Sequence, residues 1–292
     1  MLRRFGDGIL ILLVLIVAAA WMFGRVQDRA ELRPPSRPAD TFVVPEAETT
    51  KEEAQKGPLL PAPSPYDDQS MVEAHRAGPW SSGTGFAIGD NGTWLTARHV
   101  ALGCERLGVV NGQDQELVAA SLAYVSKRAD VAILRTQGGP EPLALDLNED
   151  DLQIGAMGFH IGFPQGQPGE VVSRLIGREL MITEGAWRGR ENTLAWAEVS
   201  RSKGLRGTLG GLSGGPAFDS NGNVIGITIA ESLRRGRVIT TSSDSIIHAL
   251  KDARLSPKGD AIAPLRADDI TRVANRVRRD LKVIQIVCLP PE

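Results

Sequence analysis

Gly210 to Phe218 read GGLSGGPAF, a single serine, Ser213, held among four glycines and a proline. Glycine reaches backbone angles closed to other residues and lets another molecule approach the main chain closely. Such a turn can aim the N–H groups of Gly211 and Ser213 at one point, which is what binding a developing oxyanion requires. The competing reading is a glycine-rich hairpin with no chemistry. What decides between them lies upstream.

The chain has 292 residues, 42% of them apolar, enough for one or two ordinary cores. A formal net charge of −2 and the absence of a basic stripe argue against nucleic acid as a partner. Abundant glycine and sparse aromatics suit a β-rich fold with many turns. The two cysteines, Cys104 and Cys288, are too few and too far apart for a zinc site or a CxxC pair. They form one bridge in an exported chain or stay as two buried thiols; both readings stand. His75 and His160 show no metal-ligand spacing, so neither a metal nor a cofactor is expected.

Residues 1–25 are read as a transmembrane signal anchor. Behind Arg3 and Arg4, Gly8 to Gly24 is an uncharged run, GILILLVLIVAAAWMFG. It would span roughly 25 Å as a helix, against a hydrocarbon core about 30 Å thick. A signal peptide cut after Ala20 competes with the anchor, but Trp21, Met22 and Phe23 carry the apolar run past that point. Arg25, Arg29, Arg33 and Arg37 follow the segment, so the charge count does not favour exporting what comes after it. The short amino-terminal tail and the domain that follows point the other way. The expected location is the inner membrane, with the bulk of the chain in the periplasm; a cleaved, secreted form is the alternative. Residues 26–78 are rich in proline, alanine and glutamate and are expected to be a disordered tether.

From residue 79 the texture is all-β. Thr84–Ile88 and Thr93–Thr96 read as strands around the turn Gly89–Asp90–Asn91–Gly92, Asn-Gly being the strongest short hairpin signal. Further strands are expected at Leu107–Val110, Glu116–Val125, Val131–Arg135, Ile154–Ile161, Val171–Ile182 and Val224–Ile229. Many short strands with regular turns indicate a sandwich or barrel. Helices are expected late, at Ser243–Leu250 and Asp268–Leu281, the arginines of the second forming a solvated face.

A nucleophilic serine needs a base within hydrogen-bond reach, and the base needs a carboxylate to fix its tautomer. His99 follows directly on a hairpin strand. Asp130 stands immediately before a buried one, where capping a turn or pairing with Arg128 is its alternative role. With Ser213 the order along the chain is His, Asp, Ser.

Here the sequence resembles the trypsin-like serine proteases of the HtrA (Deg) type. GTGFAIGDNGTWLTARHV, from Gly83 to Val100, is similar to their block ending in the histidine. RADVAILR, from Arg128 to Arg135, resembles the aspartate segment. MGFHIGFPQG and VVSRLIGR resemble the connection between the two halves, and GGLSGGPAFDSNGNVIGI the serine block. The match runs collinearly from about Ser82 to Leu250. The resemblance implies an all-β, chymotrypsin-like fold of two packed six-stranded β-barrels over residues 79–250, with residues 251–292 as a helical extension. It implies that His99 acts as general base, that Asp130 orients it, that Ser213 attacks the scissile carbonyl, and that the Gly211 and Ser213 N–H groups bind the oxyanion. The implied partner is a protein or peptide substrate, and homo-oligomers are compatible with the family.

Three departures qualify this. Leu212 stands where trypsins have Asp and HtrA proteases usually Asn, which leaves open what holds the anion-binding turn in shape. Lys203 to Gly210 form a glycine-rich loop that a substrate or partner would have to order. After Leu250 the remaining segment is too short for a PDZ domain. The residue six before the serine, the base of the specificity pocket in trypsins, is Gly207, which argues against cleavage after Lys or Arg. Ile227 and Ile229 suit a small or aliphatic substrate side chain, or belong to the core. Two rivals remain: an α/β-hydrolase elbow around Ser213 with His248 and Asp244, and a catalytically silent protease-like scaffold.

Overall fold

The computed structural model describes residues 57–111 and 116–289. The apolar run Gly8–Gly24 lies outside the described residues. Among those described, no helix is long and apolar enough to cross a membrane.

Among the described residues, thirteen strands and three α-helices follow one another: β1 (Asp68–Ala74), β2 (Ser82–Gly89), β3 (Thr93–Thr96), α1 (Arg98–Ala101), β4 (Arg106–Asn111), β5 (Glu116–Val125), β6 (Ala132–Arg135), β7 (Met157–Gly162), β8 (Gly169–Gly185), β9 (Gly189–Arg201), β10 (Pro216–Phe218), β11 (Val224–Ser232), β12 (Arg237–Thr241), α2 (Ser243–Asp252), α3 (Ile270–Arg279) and β13 (Val283–Leu289). The expected β2–β3 hairpin forms. Asn91 and Gly92 both take positive φ, 62° and 79°, the pair of left-handed residues that a two-residue turn needs to match strand twist.

Six strands close into a barrel in the order β13-β2-β3-β6-β5-β4. Its interior is filled by side chains such as Phe86, Leu95, Ile133, Leu134 and Ile286, each at most 1% exposed. The second sheet runs β1-β8-β7-β10-β11-β12-β9; pairing of β8 with β9 closes six of these strands into a ring, and β1 lies outside it along β8. The long β8–β9 hairpin shifts register between Val172 and Ser173 and between Leu175 and Gly177, and such bulges bend strands enough to serve several neighbours. Trp196 is fully buried there beside Leu175, Leu194 and Val238.

Two parts of the chain differ from the sequence-based expectation. The tether does not run to residue 78. Leu60 is buried, its N–H donates to Leu152 O at 2.7 Å, and β1 pairs in parallel with Glu179–Gly185 of β8. The apolar content of DQSMVEA is too low to announce a strand, but a ladder of main-chain hydrogen bonds needs little side-chain burial. The segment after residue 250 is not only helical either. Its strand β13 inserts between β2 and β4, pairing Ile284 with Gly85 and Ile286 with Val109, and so completes the first barrel.

Cys104 and Cys288 form a disulfide that fastens β13 beside the end of α1. Helix α3 turns Ile270, Val273, Ala274 and Val277 inward, the i, i+3, i+4, i+7 spacing of an amphipathic helix. Its arginines are not all solvated. Arg278 is 8% exposed and donates to Glu170 Oε1 and to Gly169 O, each at 2.7 Å, which fastens the helix to β8.

Candidate active site

The β2–β3 hairpin delivers His99 to α1, at the edge of the first barrel. Asp130 comes from a turn shaped by Ser126, whose Oγ accepts the N–H groups of Arg128 (3.2 Å) and Ala129 (3.1 Å) while its own N–H donates to Val131 O. The turn presents the carboxylate to the histidine twice. The His99 main-chain N–H donates to Asp130 Oδ1 at 2.9 Å, and Nδ1 lies 2.6 Å from Oδ2. An ionised carboxylate there selects the tautomer with the proton on Nδ1 and leaves the Nε2 lone pair free. Burial disfavours charge on the ring, but the charge and hydrogen bond of Asp130 outweigh it and raise the His99 pKa above its ordinary 6.5.

Ser213 sits where the two barrels meet. Its carbonyl accepts the Thr84 N–H at 2.8 Å, and the next residue, Gly214, donates to Thr228 O at 2.7 Å. Gly214 has φ +86°, and a Cβ there would lie 2.1 Å from Thr84 O. Only glycine allows this crossing of strands. The preceding turn is closed by the Leu212 N–H on Leu209 O at 2.8 Å. Thr84 Oγ1 donates to Gly211 O at 2.7 Å and accepts the Phe163 N–H at 3.0 Å. The Gly210 carbonyl accepts the N–H of Gln165 at 2.5 Å. A trans peptide is planar and points its C=O and N–H opposite ways, so the Gly211 N–H faces away from Gln165. Neither this N–H nor that of Ser213 is bonded to another described group.

His99, Asp130, Gly211, Ser213 and Ile229 line one cavity of about 430 Å³. Ile227 is fully buried in the core, and Gly207, exposed with φ +73°, has its carbonyl held by Arg201 at 2.8 Å. Neither lines that cavity. His248 lies exposed on α2, and Ser213 is followed by strand β10 where a hydrolase elbow needs a helix. His160 is a core residue: fully buried, bonded to Thr228 Oγ1 (3.0 Å) and Ser173 Oγ (2.8 Å), and held neutral by burial, its pKa pushed down to about 3.

Two contributors were not visible in the sequence. Residues 72–77, on and after β1, form one wall of the cavity. Glu191 on β9, 6% exposed, accepts the main-chain N–H of Asp130 on Oε2 at 2.8 Å, with Ser245 beside its carboxyl. Burial pushes its carboxyl up to about 8. The carboxyl behind Asp130 is therefore largely protonated at neutral pH.

Residues 83–227 match the family model of the trypsin-like peptidase domain. The chain is 30% identical over 167 residues to a probable periplasmic serine endoprotease DegP-like of Bartonella henselae, covering 56% of this chain and 30% of that protein. A protein of the same description from Pseudomonas fulva is 28% identical over 156 residues, 53% of this chain and 30% of the relative. The chain thus spans less than a third of the length of these curated relatives. The crystal structure of the Rv3671c protease from M. tuberculosis in its active form aligns at a TM-score of 0.49 and 16% identity, over 79% of this chain and 97% of the other.

Proposed function

We propose that the protein is a serine endopeptidase working through His99, Asp130 and Ser213, a reading supported by the match of residues 83–227 to the trypsin-like peptidase domain and by the likeness to DegP-like endoproteases. One observation carries the reading: the His99–Asp130 pair, Ser213 and the uncommitted Gly211 and Ser213 N–H groups converge on one cavity. His99 Nε2 takes the Ser213 proton as Oγ attacks the scissile carbonyl. The two N–H groups receive the oxyanion, and His99 then protonates the leaving amine to give an acyl-enzyme. Water, activated by the same imidazole, releases the acid. Asp130 accepts from Nδ1 and stabilises the imidazolium.

Ile229, the one of the three expected pocket residues that lines the cavity, favours a small or aliphatic side chain before the scissile bond. The Cys104–Cys288 disulfide and the periplasmic description of the relatives support a location outside the cytoplasm. The Gly8–Gly24 run serves as the membrane anchor in this proposal.

Fluorophosphonate labelling of the full chain in detergent, followed by peptide mapping, tests the reading. Label is expected on Ser213, lost in His99→Ala and retained in His248→Ala. A folded wild-type protein that takes no label, or a label indifferent to His99→Ala, refutes it.

A further inference from the structure

The side chain before the nucleophile cannot organise the anion-binding turn in this protein. Leu212 is 1% exposed, in an apolar cluster with Leu209, Trp196 and Ala217, and has nothing to donate or accept. The turn is held instead from the connection after β7, where Pro164–Gly166 makes a short 3-10 turn. Gln165 is left-handed within it, φ 54° and ψ 27°, a conformation unfavourable for a residue with a side chain.

That conformation lets one residue hold three carbonyls. The Gln165 N–H donates to Gly210 O at 2.5 Å, and its side-chain Nε2 donates to Arg206 O at 2.6 Å and to Thr208 O at 2.7 Å. Main chain and side chain together tie down the loop from Arg206 to Gly210. The turn also leans directly on this connection: a Cβ on Gly211, φ +98°, would lie 2.5 Å from Phe163 O and 3.2 Å from Gln165 N.

We propose that Gln165 is the positioning residue that keeps the Gly211 N–H turned toward the serine. It touches neither substrate nor reacting atoms. It fixes the Gly210–Gly211 peptide and anchors the loop before it, so that the anion site exists before substrate arrives. The proposal rests on the peptidase reading given above. A donor set fixed in advance contributes mostly in the transition state, so its loss should appear in kcat and not in KM.

Gln165→Glu tests this with length and backbone preserved, since a carboxylate turned toward two carbonyls repels where the amide bonded. Gln165→Ala removes the side chain without a new charge. In both variants kcat on a peptide substrate is expected to fall about tenfold or more, with KM within about twofold. Affinity for a peptide boronate, whose tetrahedral adduct places an oxygen in the anion site, should fall in step with kcat. Amide hydrogen exchange over residues 206–213 should rise in both, with melting temperature near wild type. Unchanged exchange and unchanged boronate affinity, or a rise in KM alone, overturns the proposal. Exchange is read independently of turnover. A wild type that protects residues 206–213 in a Gln165-dependent way yet neither labels nor cleaves would sink the peptidase reading and leave the clamp standing.

Discussion

Replacing Glu191 by glutamine should make the protein more stable at alkaline pH and leave it unchanged in acid. Glutamine keeps the shape and an oxygen for the Asp130 N–H, but it cannot ionise. The wild-type carboxyl has an ordinary pKa of 4.5 and is pushed by burial up to about 8 in the fold. The folded state therefore binds the proton more tightly than the unfolded one. Stability is lost as pH rises between those two values, and the whole penalty is present above about 8. At about 1.36 kcal/mol per pH unit the difference converts to a ceiling of about 5 kcal/mol. A site that relaxes or admits water on ionising retains only part of this, so about 2–5 kcal/mol is expected. Urea unfolding of both proteins at pH 4 and pH 9 measures it. The two curves should nearly coincide at pH 4, with the variant's midpoint higher at pH 9. A stability difference that is the same at both values would refute the reasoning, because a pH-independent gap means packing and not ionisation.

Asp130→Asn should lower kcat by about 10³–10⁴, since the imidazole loses the partner that selects its tautomer. Because Asp130 raises the His99 pKa and catalysis needs the neutral ring, the acid limb of the wild-type pH–rate profile should lie above 6.5. In the variant it should move down; an acid limb that stays in place would argue against the assigned pair. Cys104→Ser with Cys288→Ser opens a link across 184 residues and should cost about 2–5 kcal/mol of stability in equilibrium unfolding.

The parts legible in the sequence were those whose signal is local. Asn91–Gly92 announces its hairpin because both residues tolerate positive φ, and the hairpin then places His99. Asp130 and Ser213 stand out through the short blocks RADVAILR and GGLSGGPAF that carry the resemblance, and both line the same cavity as His99. The illegible parts are made by pairings distant in sequence. DQSMVEA becomes a strand only because β8 offers it an edge. Residues 283–289, VIQIVCL, are a short and almost wholly apolar run, but nothing nearby tells that their partners are β2 and β4. Glu191 sits at the polar start of β9 and looks solvated until that strand folds back and brings it against the Asp130 turn. Ile227 and Ile229 share a parity that puts both on one face. The register shift between Thr228 and Ala230 breaks that equivalence, and only Ile229 reaches the cavity.

The place of β13 sets the order of events during synthesis. The barrel that carries His99 and Asp130 has a gap between β2 and β4 until residues 283–289 arrive to fill it. A growing chain that already contains the histidine, the aspartate and the serine still lacks a wall of the barrel that holds two of them. On the proposed reading, hydrolytic competence would be deferred past the emergence of all three triad residues. The same dependence leaves the assembled barrel one clip away from coming apart, since a cut between α3 and β13 followed by reduction of the Cys104–Cys288 bond would release the strand.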